Sequence, residues 1–254
     1  MVRRRITLVL LSALIAGTLS AASADTLVEP LKIEKRLIHV RDPLPENPCF
    51  RPYAEQRQIN VIVLHHTSAV YWFDPAFQAL LTQEVKDRVH TQGITLENIQ
   101  THRFDLDLII QIFRTYGVAP HYLIGRKGEV IQLVEDNDMA YHAGVSTMPD
   151  GDGRTGVNYF SIGIELTSVH PDNERIGTHR EPAYTEAQYL ALTKLVERLT
   201  TRYSIKKIVG HDEIAPDRKK DPGPLFDWTR IRGSMKEPIR TGAPLPGAVD
   251  QNRS

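Results

Sequence analysis

Two short segments, far apart in the chain, hold residue types that could bind a metal ion. Val61-Ile62-Val63-Leu64 is apolar and runs straight into His65-His66-Thr67, which reads as a buried strand ending in histidine. Residues 210–223 read G-H-D-E-I-A-P-D-R-K-K-D-P-G and set His211 and Asp221 ten positions apart across a proline-bearing loop. Neither segment is specific alone: a histidine pair at a strand end is often polar punctuation, and one His–Asp spacing says less. The density of Pro216, Arg218, Lys219, Pro222 and Gly223 around the second segment strengthens the combination. Zinc in hydrolases is commonly held by three such ligands with the fourth position open. The chemistry that follows is metal-assisted hydrolysis.

The elements that must position these groups are legible from periodicity and turn chemistry. In the stretch from Arg103 to Tyr116, Leu106, Ile109, Ile110 and Phe113 recur at helical spacing, and a further helical pattern lies over 75–89. His121 to Gly125, a turn at Arg126-Lys127-Gly128 and Glu129 to Val134 predict a hairpin. Ser-Ile-Gly-Ile-Glu-Leu from Ser161 predicts a strand. Thr185-Glu186-Ala187-Gln188 is a capping box that opens a helix to about Tyr203, with Leu192, Leu195, Val196 and Leu199 as its stripe. Lys207-Ile208-Val209 is a short strand delivering His211. Interleaved strands and helices predict an α/β fold of the mixed kind, a central mixed sheet flanked by helices.

The first residues predict export. Arg3-Arg4-Arg5, an apolar run from Ile6 to about Leu19 and Ala22-Ser23-Ala24 have the layout of a secretory signal peptide. The run falls short of the roughly 20 residues that a spanning helix needs. A cleaved leader over 1–24 is therefore expected, with a periplasmic or secreted product and no stable membrane insertion after cleavage. Without it the chain keeps 28 basic and 31 acidic residues, which gives no sign of a nucleic-acid partner. The single cysteine, Cys49, permits no internal disulfide. The expected organisation is an N-terminal arm over 25–58, rich in proline, one catalytic domain over 59–233, and a C-terminal tail over 234–254.

Five stretches in order carry a family resemblance: V-I-V-L-H-H-T-S from Val61, P-H-Y-L-I-G-R-K-G-E-V-I-Q-L-V from Pro120, A-Y-H-A-G-V-S from Ala140, N-Y-F-S-I-G-I-E-L from Asn158, and the 210–223 loop. The chain resembles the zinc-dependent N-acetylmuramoyl-L-alanine amidases of the type 2 family, relatives of the peptidoglycan recognition proteins. The resemblance implies zinc held by His65, His211 and Asp221, with His66 on a variable position. It implies Glu165 as general base and Lys219 as a cation near the scissile carbonyl. It places His121 and His142 near the groove wall, where each could contact substrate or pack within the core. Tyr141 and Asn158 are expected to line the groove, and Arg218 to meet a substrate carboxylate.

The implied reaction is hydrolysis of the amide between N-acetylmuramic acid and L-alanine in peptidoglycan or a muropeptide. Two rivals differ in class: a non-catalytic peptidoglycan-binding protein on the same fold, and a zinc peptidase of the stem peptide. A binder would have lost a ligand, and here every catalytic role is filled. The stretch between His65 and His121 is longer than in compact family members, which predicts an added helix beside the groove.

Overall fold

The computed structural model describes residues 30–38, 48–69, 102–168 and 183–232, with single helical positions at 75, 79, 83, 86 and 87. The expected leader, most of the 75–89 helix and the tail lie outside the described residues.

The fold is mixed α/β. Among the described residues six strands form the main sheet: β1 (Ile33–Lys35), β3 (Val61–Thr67), β4 (Tyr122–Ile124), β5 (Val130–Gln132), β7 (Ser161–Thr167) and β8 (Lys207–Gly210), in the order β1-β5-β4-β7-β3-β8. Within this sheet only the β4–β5 hairpin is antiparallel; its other pairings are parallel. The hairpin turns through Gly128, whose φ is +82° and where a Cβ would stand 2.8 Å from the Ala187 carbonyl oxygen. Both needs select glycine. β3 and β7 are central and buried almost throughout, which is why they read as near-continuous apolar runs.

Alternation along these strands sends residues to two different faces. Ile62, Leu64, Ile162, Ile164, Leu166 and Ile208 pack under α2 (Glu186–Arg202), on its stripe of Leu192, Leu195, Val196 and Leu199. The capping box at Thr185 and Gln188 is present. Among the described residues the opposite face has two covers. α1 (Leu106–Tyr116) lies over Leu123, Ile131 and Leu133. Its N-cap is Asp105, and it ends at Gly117 in the left-handed conformation. Ala143, Met148, Val157 and Ile214 cover Val61, Val63 and Val209.

Of the stretch expected as an arm laid on the domain, the described residues 30–38 and 48–58 join its sheets and core. β1 is an edge strand of the main sheet, and β2 (Phe50–Arg51) pairs with β6 (Met139–Ala140). Ile38, Cys49 and Phe50 enter the core under α1. The buried Arg57 guanidinium donates to the carbonyls of Asp136, Asn137 and Asn158 at 2.8–2.9 Å. Strands of two and three residues among prolines have too little period to be seen in sequence, and long-range pairing alone defines them. Among the described residues no helix is long and apolar enough to cross a membrane.

Candidate metal centre

The candidate ligands meet at the carboxyl ends of the parallel strands. His65 follows Val63 on the face away from α2. β8 ends at Gly210, so His211 is the first residue of the short helix α3 (His211–Ile214). The loop returning from α3 brings Asp221 back: its carbonyl accepts from the Asp212 amide at 2.8 Å, and the Pro222 carbonyl accepts from the Tyr184 hydroxyl at 2.7 Å. The Nδ1 atoms of His65 and His211 lie 2.9 Å apart, and each is 3.0–3.1 Å from Asp221 Oδ2.

The donor set fits a metal ion. His211 Nε2 faces the Ala143 carbonyl at 3.1 Å; a carbonyl only accepts, so Nε2 carries the proton and Nδ1 offers a lone pair. Separations near 3 Å suit an ion bonded to each donor at roughly 2 Å in tetrahedral array. Among the described residues this is the one such cluster of metal-binding side chains. Burial, and then the neighbouring His211, pull His65 down to about 4. Burial alone would raise Asp221, but hydrogen bonds with His211 and His65 outweigh it and hold the carboxyl below its ordinary range. Neutral imidazole and ionised carboxylate are the forms that bind metal.

The cluster forms the floor of a cavity of about 560 Å³. One wall is apolar: Ile112, Phe113 and Tyr116 of α1, then Val118, Ala119 and Pro120. The other is cationic, with Arg218, Lys219 and Lys220. Its turn is held by the amides of Arg218 and Lys219, which both donate to the Ala215 carbonyl. Glu165 lines the floor and is opposite His65 in the β3–β7 register. Burial lifts its carboxyl well above the ordinary range, Asp221 adds to the rise, and Lys219 opposes it.

Of the residues singled out in the sequence, His65, His211, Asp221, Glu165, Lys219, Tyr141, His142 and Arg218 line this cavity. His121 and Asn158 do not. His121 is fully buried behind His142, with Nδ1 accepting from the Gly163 amide at 3.0 Å. Asn158 shapes the wall from behind: its Oδ1 accepts from the amides of His142 and Ala143 at 3.2 and 2.8 Å. Arg218 is at the cavity, but its Nη2 is committed to the carbonyls of Ala143 and Val145 at 2.8 and 2.7 Å, so it holds this segment as well. Sequence reasoning missed Arg57 and Ser161, for which no local pattern exists. It also missed the apolar wall, although the helical stripe through Phe113 hinted at it.

Convergent metal-ligand donors beneath an open cleft, beside a buried carboxylate and a lysine, define an enzyme-like centre on a mixed α/β fold. The chain belongs to the family described as N-acetylmuramoyl-L-alanine amidase, whose model matches residues 55–224. It is 46% identical over 117 residues to 1,6-anhydro-N-acetylmuramyl-L-alanine amidase AmpD of Citrobacter freundii, covering 45% of this chain and 56% of that protein. The chain thus spans little more than half the length of this curated relative. A crystal structure of a selenomethionine derivative of AmpD aligns at 31% identity over 82% of this chain and 95% of that one, with a TM-score of 0.49. A complex of the N-acetylmuramyl-L-alanine amidase AmiD from E. coli with anhydro-N-acetylmuramic acid-L-Ala-D-γ-Glu-L-Lys aligns at 29% identity over 72% of this chain and 60% of that one, with a TM-score of 0.45.

Proposed function

We propose that this protein is a zinc-dependent amidase that hydrolyses the bond between the lactyl group of N-acetylmuramic acid and L-alanine, in peptidoglycan or its fragments. The observation that carries the reading is the triangle of His65 Nδ1, His211 Nδ1 and Asp221 Oδ2 on the floor of a cleft that Glu165 and Lys219 also line. When bound by these three residues, zinc supplies Lewis acidity. Glu165 accepts the proton of the attacking water and returns it to the leaving nitrogen. Burial raises its pKa, which makes the carboxylate a stronger proton acceptor. Lys219 places positive charge where the oxyanion develops. A glycosidase would instead call for two carboxylates flanking a sugar ring. The layout of residues 1–24 supports action outside the cytoplasm, and an exported product whose N-terminus is Asp25 is expected on N-terminal sequencing.

The test is digestion of muropeptides of intact and 1,6-anhydro form, with products weighed. A free amine on L-alanine, with sugar and lactyl carboxylate left together, is expected. A peptide shortened at its C-terminal end would favour the stem peptidase. Binding without product in zinc-loaded protein would favour the recognition protein.

A further inference from the structure

We infer that Ser161 and His142 form a hydrogen-bond relay that fixes the tautomer of His65 and so presents its Nδ1 lone pair to the metal. The inference rests on His65 as a ligand but reaches past the ligand set to residues that touch no ion. The direction of each bond follows from the one before. The Ser161 hydroxyl has a single proton, and it faces the Val157 carbonyl at 2.7 Å. A carbonyl only accepts, so the proton is spent there. Ser161 Oγ is also 3.1 Å from His142 Nε2, and it can only accept from that nitrogen. Neutral His142 therefore carries its proton on Nε2 and offers a lone pair at Nδ1. That Nδ1 is 3.0 Å from His65 Nε2, which must donate to it. His65 is left with its lone pair at Nδ1, pointing at His211 and Asp221. The reverse tautomer would aim a proton at the metal position.

The fold builds the relay deliberately. The His142 amide is tied to Asn158 Oδ1. A Cβ on Gly163 would lie 2.4 Å from His142 Cγ, closer than any real contact, so only glycine lets the ring reach this place. The two ligand histidines are thus oriented by different means: His211 by a backbone carbonyl, His65 by two side chains and a carbonyl behind them. His142 and Ser161 are positioning residues.

Zinc affinity, measured by competition with a chelating dye, separates this role from others. His142→Ala and Ser161→Ala should each lose about 10- to 100-fold in affinity, the range for groups that orient a metal ligand. His142→Asn, whose side-chain oxygen can stand where Nδ1 stands, should stay within a few-fold of wild type. Nitrogen-15 NMR of the histidine rings in metal-free protein should find His65 protonated at Nε2, with that preference weakened in Ser161→Ala. If His142→Ala does not fold, Ser161→Ala and the NMR decide. Wild-type zinc affinity in the alanine variants, with only KM raised, would make His142 a substrate contact and overturn the relay. So would Nδ1 protonation of His65 in wild type. Failure of the wild-type protein to bind zinc would sink the ligand assignment, while the ring NMR would still rule on the relay.

Discussion

The two faces of the central sheet are written by alternate residues of the same strands, yet they do opposite work. Toward α2, Ile62, Leu64, Ile162, Ile164 and Leu166 pack against leucines and valine and are fully buried. Toward the cleft, Val61 and Val63 give way to His65, and Gly163 to Glu165. Burying imidazole and carboxylate away from water is costly. The cost is visible in a His65 pulled to about 4 and a Glu165 pushed up. The apolar face offsets it. One step along a strand separates stability from chemistry, so substitutions on the two faces should fail in different ways.

The largest effect should come from Asp221→Ala. It leaves two protein ligands, both neutral imidazoles, and removes the one charged donor of the set. Turnover should fall at least as far as the roughly 10⁴-fold upper end for loss of a general base, and metal analysis should find zinc missing. Retained zinc would mean that the cluster is not the binding site. Glu165→Gln comes next. The amide keeps the shape but cannot take a proton, so kcat should fall by about 10² to 10⁴ with zinc content and fold intact. Near-normal kcat would assign the base elsewhere.

On the other face, Leu195→Ala should cost about 2–5 kcal/mol of stability by opening a cavity under α2. The zinc affinity of the folded protein should be unchanged, and a matching loss of zinc would show that the faces are coupled. The smallest effect near neutral pH is a slope. Burial, with Arg57 nearby, holds His121 at about 3 against an ordinary 6.5. As pH falls from 6.5 toward 3 the unfolded chain takes up a proton that the folded chain refuses. Stability is therefore complete above pH 6.5 and declines below it, by about 1.4 kcal/mol per pH unit for one such group. Urea midpoints of metal-free protein against pH should show this decline, with the buried His65 and His142 adding to it, and His121→Asn should make it shallower. Leu195→Ala should lower the whole curve without changing its slope. An unchanged slope in His121→Asn would transfer the acid sensitivity to other groups.

Much of the centre was legible in sequence. His65, His211 and Asp221 sit on segments whose local signals are strong: a buried strand, a strand that ends at Gly210, and a proline-bearing loop. The capping box at Thr185 and the hairpin around Gly128 were legible for the same reason, because their causes lie within a few residues. The hydrogen bonds of the groove residues were not legible. Asn158 and Arg218 have the chemistry of contacts, but they spend it on the carbonyls and amides of the segment from His142 to Val145.

The sequence by itself determined the strand alternation, the helix starts and the donor types at 65, 211 and 221. Each follows from side-chain period or backbone capping between near neighbours. Only the tertiary structure decided that β1 and β2 belong to the domain, that His121 is core, and that His142 stands behind His65. Those outcomes depend on which distant group arrives with a lone pair or a proton. A hydrogen bond between residues 77 positions apart leaves no period in the chain, and its direction is set by partners, such as the Val157 carbonyl, that local sequence does not reveal.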